Sequence, residues 1–113
     1  MVSYWSFDKE NVYLNSFCFG YRITSELVDG EFLTYLLRSP LYRQKITLLG
    51  QGSTRYNISK TGLMNMKVKL PNIVEQRKIV TTLSMCDQKL TNENEKLLIL
   101  LEQKKGFMQW MFV

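Results

Sequence analysis

The residues best suited to chemistry lie together in a polar segment near the middle of the chain, residues 50–57. Its glycines let a backbone approach a phosphate group closely, and its hydroxyls can donate hydrogen bonds to phosphate oxygens. Its arginine can bind guanine with two hydrogen bonds, its tyrosine offers a ring for base stacking, and its asparagine can read adenine. The candidates are Ser53, Thr54, Arg55, Tyr56 and Asn57. The segment predicts either a nucleic-acid contact or an ordinary polar surface turn.

The charge distribution favours the nucleic-acid interpretation. The chain carries a net charge of +5. Residues 32–70, which include the polar segment, contain seven lysine or arginine residues and no aspartate or glutamate. Such a region produces a positive field that suits a polyanion, although chance scatter over a solvated surface is the alternative. We expect Lys45 and Lys60, on either side of the polar segment, to contact phosphates.

The residue types that catalysis needs are sparse. The chain has no histidine, which excludes the Ser–His–Asp and Cys–His arrangements of nucleophilic catalysis. Gly50 and Gly52 are followed by Arg55 where a dinucleotide-binding motif requires glycine. The acidic residues show no pairing suited to acid–base work and no cluster suited to two metal ions. The sequence therefore predicts a protein that is not an enzyme, with no catalytic residue, metal site or cofactor.

Several features indicate the compartment. Cys18 and Cys86 do not have the spacing of metal ligands or of a redox pair. The apolar runs are too short to span a membrane, and the amino terminus lacks the basic and apolar regions of a secretory signal. We therefore expect a reduced, cytoplasmic protein without a membrane partner.

The elements that must position the polar segment are predicted to be mixed. Aromatic and β-branched residues favour strands over residues 3–7 and 12–22, and alternation favours another over residues 66–70. Asp29 can cap a helix over residues 30–38, and Ser39-Pro40 can open a second over residues 41–49. The sequence thus predicts an α+β protein, with a small mixed α/β domain in residues 1–70.

Residues 71–113 are predicted to form one long helix. Pro71 suits a helix start, and Asn72 with Glu75 can form a capping box. Apolar residues then recur in two series of seven-residue spacing, which is typical of a coiled coil, while Glu93 and Lys104 interrupt the series. We expect Gly106 to end the regular helix. The residues predicted to face a partner helix are Ile79, Leu83, Cys86, Leu90, Leu97, Leu100, Phe107 and Met111.

The end of this helix is basic and then densely apolar. Lys104 and Lys105 precede Phe107, Trp110 and Met111. A membrane-surface anchor would have this composition, but burial against a partner helix or subunit explains so many large apolar side chains better.

These residues resemble a known family. Leu70-Pro71, Glu75-Gln76, Ile79, Leu83, Asp87, Lys104-Lys105 and Phe107-Met108-Gln109 look like the conserved helix of type I restriction–modification specificity subunits. Upstream, Phe32-Leu33, Leu36-Leu37, Ser39, Ile46, the Gly50-x-Gly52-Ser53 segment, Ile58-Ser59 and Leu63 look like the later part of that family's target recognition domain. The resemblance covers roughly residues 30–112, with the motifs in the family's order.

The resemblance implies a non-catalytic DNA-binding module. In this family two recognition domains each read half of a bipartite DNA site, and two antiparallel helices hold them apart. The subunit carries methyltransferase subunits, which act in DNA methylation, and a restriction subunit joins them. By this resemblance residues 1–70 form a partial target recognition domain, and residues 71–113 form the conserved helix for dimerisation and subunit docking.

The chain departs from the family pattern in having one helix and a shorter globular part. We therefore expect a homodimer, or pairing with the helix of another specificity subunit, with double-stranded DNA as the ligand. The alternative is a structural protein whose helix assembles or competes for restriction–modification subunits without binding DNA itself.

Overall fold

A computed structural model describes residues 2–51 and 57–111 of the chain. Four helices, α1 to α4, and two short strands, β1 and β2, follow one another along the described residues. In chain order they are α1 Gly30–Arg38, α2 Pro40–Leu48, β1 Gly50–Gln51, β2 Asn57–Ile58, α3 Lys60–Met64 and α4 Ile73–Met111. The chain divides into two compact units, Met1–Lys78 and Ile79–Val113. None of the described helices is both long and apolar enough to cross a membrane.

Helix α1 begins and ends where the sequence predicts. The side chain of Asp29 accepts a hydrogen bond from the backbone N–H of Phe32 at 3.0 Å, which satisfies a donor that the first turn leaves without a partner. Phe32 and Leu37 are buried, and Leu33 and Leu36 are half-buried beside them. Helical spacing places these four apolar residues on one face of α1, and that face is the buried one.

Helix α2 begins one residue earlier than predicted, with Pro40 in its first turn. Ser39 occupies the cap position, but its hydroxyl donates to the carbonyl of Leu36 at 2.6 Å and thus satisfies the end of α1. The buried core cluster of the first unit consists of Leu37, Tyr42 and Ile46, and half-buried side chains pack against it. These are Val2, Leu33, Leu36, Leu63, Met66 and Val68.

The predicted α+β fold class is wrong. In the described residues the only strands are β1 and β2, each two residues long and antiparallel, with Gly50 opposite Ile58 and Gln51 opposite Asn57. The segments predicted as strands, residues 3–7, 12–22 and 66–70, have no strand structure. The described chain is helical, with one long carboxyl-terminal helix.

Two physical reasons explain the missing strands. The aromatic side chains of residues 3–17 are exposed, Tyr13 to 86%. A strand-favouring composition forms a strand only where a sheet surface is available to pack against, and within the described residues these side chains have none. In residues 66–70 burial does alternate, with Met66 and Val68 inward and Lys67 and Lys69 outward. The backbone N–H of Lys69, however, donates to the hydroxyl of Tyr42 at 3.0 Å, so a side chain takes the place of a neighbouring strand.

Helix α4 begins as predicted and ends later. Asn72 accepts a hydrogen bond from the backbone N–H of Glu75 at 2.9 Å, which confirms its capping role. The helix then runs for 39 residues to Met111. Gly106 does not end it, and the prediction that it would is wrong. A glycine weakens a helix by only about 0.5–1 kcal/mol relative to alanine, which the hydrogen bonds on either side of Gly106 can offset.

Candidate nucleic-acid interface

The polar segment predicted to contact DNA falls mostly outside the described residues. Ser53, Thr54, Arg55 and Tyr56 lie there, and of Asn57 only the backbone is described, as the first residue of β2. The antiparallel pairing of β1 with β2 brings the two ends of this segment together. The assignment of these five residues to DNA stays a prediction.

Lys45 is exposed on α2 and is held against an aromatic ring. Its ammonium group lies 5.0 Å from the centre of the Tyr42 ring, a cation–π contact that orders a long side chain. Tyr42 itself is buried, and its hydroxyl accepts the backbone N–H of Lys69. One ring therefore contacts both Lys45 and the backbone of Lys69. We call Lys45, Lys69 and Tyr42 the basic cluster.

Lys60, the second predicted phosphate contact, is the first residue of α3 and is exposed. Ser59 caps this helix, accepting the backbone N–H of Gly62 at 3.1 Å. The structure thus fixes the backbone at Lys60. Among the described residues, no hydrogen bond or ion pair joins Lys60 to the basic cluster. Whether Lys60 contacts phosphates remains a prediction.

The basic residues of the middle region that the structure describes differ in what they contact. Arg38 donates from Nε to the carbonyl of Val2 at 2.6 Å and from its terminal nitrogen to Ser3 Oγ at 3.3 Å. This arginine therefore ties the amino-terminal segment to α1. Lys67 and Lys69 project from the residues that pass over the core, so their charges remain exposed to a ligand.

Gln76 is the most deeply buried side chain of the described residues, with 0% exposure. Its Oε1 accepts the backbone N–H of Asp29 at 2.8 Å. Its Nε2 donates to the carbonyls of Leu27 at 2.9 Å and of Pro71 at 2.8 Å. Because Asp29 also caps α1, this single amide joins the start of α1 to the first turn of α4 within the first unit.

The predicted partner-facing residues of α4 are exposed along the second unit. Leu90, Leu97, Leu100, Phe107 and Met111 are each between 54% and 66% exposed. Ile79 and Leu83 are 38% and 37% exposed, and Cys86 is an exposed free thiol. Leu98, Ile99 and Leu101 are exposed as well, so this stretch of the helix is apolar on every side. A helix that is apolar all round requires burial on more than one face.

The described residues show little that acid–base or metal chemistry could use. They contain no group of three or more cysteine, aspartate or glutamate residues able to hold a metal ion. Partial burial raises the pKa of the Tyr21 hydroxyl above its usual value of 10.0.

The family model of the type I restriction modification DNA specificity domain matches residues 1–103 of the chain. The chain belongs to this family. A Methanocaldococcus jannaschii protein, the type I restriction enzyme MjaVIII specificity subunit, is 33% identical over 63 residues, which cover 56% of this chain and 15% of that protein. The putative type I restriction enzyme MjaX specificity subunit of the same organism is 30% identical over 88 residues, which cover 75% of this chain and 20% of that protein. No solved structure matches the chain.

The matched stretches thus span only a fraction of the two curated relatives, 15% of one and 20% of the other. The family assignment confirms the resemblance seen in the motifs. It supports a role in DNA recognition, which is the role that the family description names.

Sequence reasoning about the specificity domain missed two residues that the structure brings forward. Gln76 was recognised only as part of a motif, because a glutamine in a helix gives no sign of burial. Lys69 is one of the seven basic residues of the middle region, but only the structure shows that its backbone and the Lys45 ammonium group contact the same tyrosine. The sequence offers one signal for Lys69. Lysines alternate with apolar residues over residues 66–70, and this alternation places Lys69 on the outward face.

Proposed function

We propose that this chain is a non-catalytic DNA sequence-specificity module of a type I restriction–modification system. In this proposal the first unit binds a DNA half-site, and α4 pairs with a second copy and docks methyltransferase subunits. The restriction subunit joins indirectly through that assembly. The protein acts in the cytoplasm, where its DNA is found.

The basic cluster is the observation that carries the DNA-binding part. Phosphate contacts supply most of the affinity for DNA and require cations held at the surface. Lys45 is ordered over the ring of Tyr42, and the backbone N–H of Lys69 donates to the hydroxyl of the same residue. No carboxylate occurs among residues 32–70 to neutralise them. We assign both lysines to backbone phosphates, together with Lys60.

The polar segment is proposed to supply sequence discrimination. Ser53 and Thr54 would bind phosphates, and Arg55 and Asn57 would contact base edges, with Tyr56 stacking. Support comes from the short β1–β2 pair, which holds the two ends of this segment close together. A segment closed at its base loses less conformational entropy when it binds.

The docking of methyltransferase subunits is proposed for the outer side of α4. A two-stranded pairing covers only the residues at the seven-residue spacing. Leu98 and Ile99 fall outside that spacing and are 62% and 56% exposed. A second partner on this face would explain why apolar side chains occupy it.

Neutralising the basic cluster should weaken DNA binding without regard to sequence. The double variant Lys45→Gln/Lys69→Gln removes two phosphate contacts, so the slope of log affinity against log salt should become shallower by about 2. Fluorescence anisotropy with two unrelated duplexes, each titrated at several salt concentrations, measures both the slope and the affinity. Lys96→Gln/Lys105→Gln, which removes two positive charges from α4, is the matched control and should leave the slope unchanged.

Arg55→Ala is the comparator that separates base reading from phosphate contact. If Arg55 reads guanine, its loss should cost about 1–3 kcal/mol on the cognate site and little elsewhere. An equal loss on every duplex would make Arg55 a phosphate contact. For the double lysine variant, an unchanged slope of log affinity against log salt would show that the basic cluster does not contact DNA.

A second candidate function is supported by the exposed α4. The chain could assemble or compete for restriction–modification subunits through this helix without binding DNA. The exposure of apolar residues over the whole second unit favours it. Salt-dependent DNA binding by the full chain distinguishes the two functions, since only the first requires phosphate contacts.

A further inference from the structure

Two charged residues interrupt the apolar seam of α4, and their positions determine how two copies can pair. We define the seam as the residues of the two seven-residue series on α4. Glu93 belongs to one series and Lys104 to the other. A charge in such a seam is costly unless an opposite charge faces it, and for this reason polar seam residues select the register.

Antiparallel pairing of two α4 helices places each series against the other, so the two interruptions can meet. When Leu97 of one helix lies opposite Leu100 of its partner, Glu93 lies opposite Lys104. The remaining layers then set Leu90 against Phe107 and Cys86 against Met111. In this register every apolar seam residue from 86 to 111 faces an apolar residue, and each charge faces its opposite.

The other arrangements leave charges without an opposite. Sliding the antiparallel pair by one heptad sets Glu93 against Leu97 in one direction and against Met111 in the other. A parallel pair sets Glu93 against Glu93 and Lys104 against Lys104. The shifted antiparallel pairs bury a charge against an apolar residue, and the parallel pair buries like charges against each other. Both are unfavourable.

We propose that two copies of this chain pair antiparallel through α4 in the register that sets Glu93 of each helix against Lys104 of the other. The pairing rests on the self-association included in the proposed function. It deepens that function by naming the register and the ion pair that selects it.

Exposure along α4 agrees with this overlap. Ile79 and Leu83, which the register leaves outside the paired region, are 38% and 37% exposed, whereas Leu90, Leu97, Leu100, Phe107 and Met111 are 54–66% exposed. Among the seam residues with a stated exposure, the larger exposed fractions therefore lie where the partner would sit. The same register places Lys89 beside Trp110 of the second copy, a residue that is 82% exposed and whose ring can accept a cation.

The carboxylate of Glu93 already has one cation nearby. Lys96 Nζ lies 3.6 Å from Glu93 Oε1, three residues along the same helix. Lys96 and Lys104 of the second copy would then flank the carboxylate on two sides. Two cations compensate the desolvation of one buried carboxylate better than a single one.

A reciprocal charge exchange tests the register. Glu93→Lys and Lys104→Glu should each raise the dimer dissociation constant at least tenfold, because each sets like charges opposite one another. The double variant Glu93→Lys/Lys104→Glu should return to within about threefold of the original constant, since it restores opposite charges. Sedimentation equilibrium of the full chain measures the three constants. Glu95→Lys and Lys105→Glu make the same charge changes outside the seam and should leave the constant unchanged.

Cross-linking gives a second, independent reading of the register. In a Cys18→Ser background, Met111→Cys should form a disulfide with Cys86 of the second copy when oxidised glutathione takes up the two electrons. In a Cys18→Ser/Cys86→Ser background, Leu90→Cys/Leu100→Cys would form a covalent dimer only in the register shifted by one heptad, and this pair keeps both Glu93 and Lys104. Covalent dimers on a non-reducing gel from Met111→Cys alone support the proposal.

The failures are distinguishable. A covalent dimer from Leu90→Cys/Leu100→Cys but not from Met111→Cys, or a double charge variant that dimerises more weakly than either single variant, would overturn the register while leaving self-association intact. A wild-type chain that stays monomeric at tens of micromolar would overturn the pairing itself. DNA binding, measured separately, would decide the remainder of the proposed function.

Discussion

Gln76→Ala is expected to destabilise the first unit by about 3 kcal/mol or more, because each buried polar group left without a partner costs roughly 1–3 kcal/mol. The substitution removes the hydrogen-bond partner of three backbone groups, those of Leu27, Asp29 and Pro71. A domain of this size has a total stability of only about 4–12 kcal/mol. The variant should therefore lose a large part of its folded population on mild heating.

Urea unfolding followed by the fluorescence of Trp5, in a Trp110→Phe background, measures this change in the first unit. Gln88→Ala is the matched control, since Gln88 is exposed on the same helix and should change stability little. Gln76→Glu separates hydrogen bonding from volume. It keeps the size of the side chain but sets a carboxylate against the carbonyls of Leu27 and Pro71. A Gln76→Ala protein as stable as its control would show that the three hydrogen bonds contribute nothing net.

Leu97→Asp is expected to raise the dimer dissociation constant at least about 100-fold, equivalent to about 2.7 kcal/mol. Leu97 and Leu100 form the two central layers of the proposed pair. One substitution therefore introduces two carboxylates that lie close together after dimerisation, and both would lose water. Sedimentation velocity over a concentration series should show a monomer where the unaltered chain is dimeric.

Ile99→Asp provides the control for this prediction. Ile99 is as exposed as Leu97 and lies two residues away, but it falls outside the seam. Its replacement should leave the dimer intact and weaken the binding of a methyltransferase subunit. If Ile99→Asp dissociates the dimer as strongly as Leu97→Asp, the seam has been assigned to the wrong face.

The helices were predictable because their signals are local. Asp29 and Asn72 are caps whose side chains reach the first turn of the helix that follows, and both hydrogen bonds are present. The seven-residue spacing likewise identified a helix long enough to need a partner. Only the predicted end of α4 is wrong, because a glycine allows a helix to end but does not force it to end.

The strands and the site were less predictable because they depend on distant partners. Residues 66–70 have the alternation of a strand, yet Tyr42, 27 residues before Lys69, provides the hydrogen bond that a neighbouring strand would have provided. Gln76 is 47 residues from Asp29. No local pattern reveals either contact. The charge count did find the region that holds Lys45 and Lys69, but only tertiary structure shows that one ring contacts both residues.

The salt dependence of DNA binding by the full, unaltered chain tests the central claim most directly. Between about 50 and 200 mM salt, duplex affinity measured by fluorescence anisotropy should fall more than tenfold, because about three or more phosphate contacts per chain release their counterions. Binding that stays constant over this range, or no binding at the lowest salt, would contradict DNA recognition by this chain and favour the interaction protein built around α4.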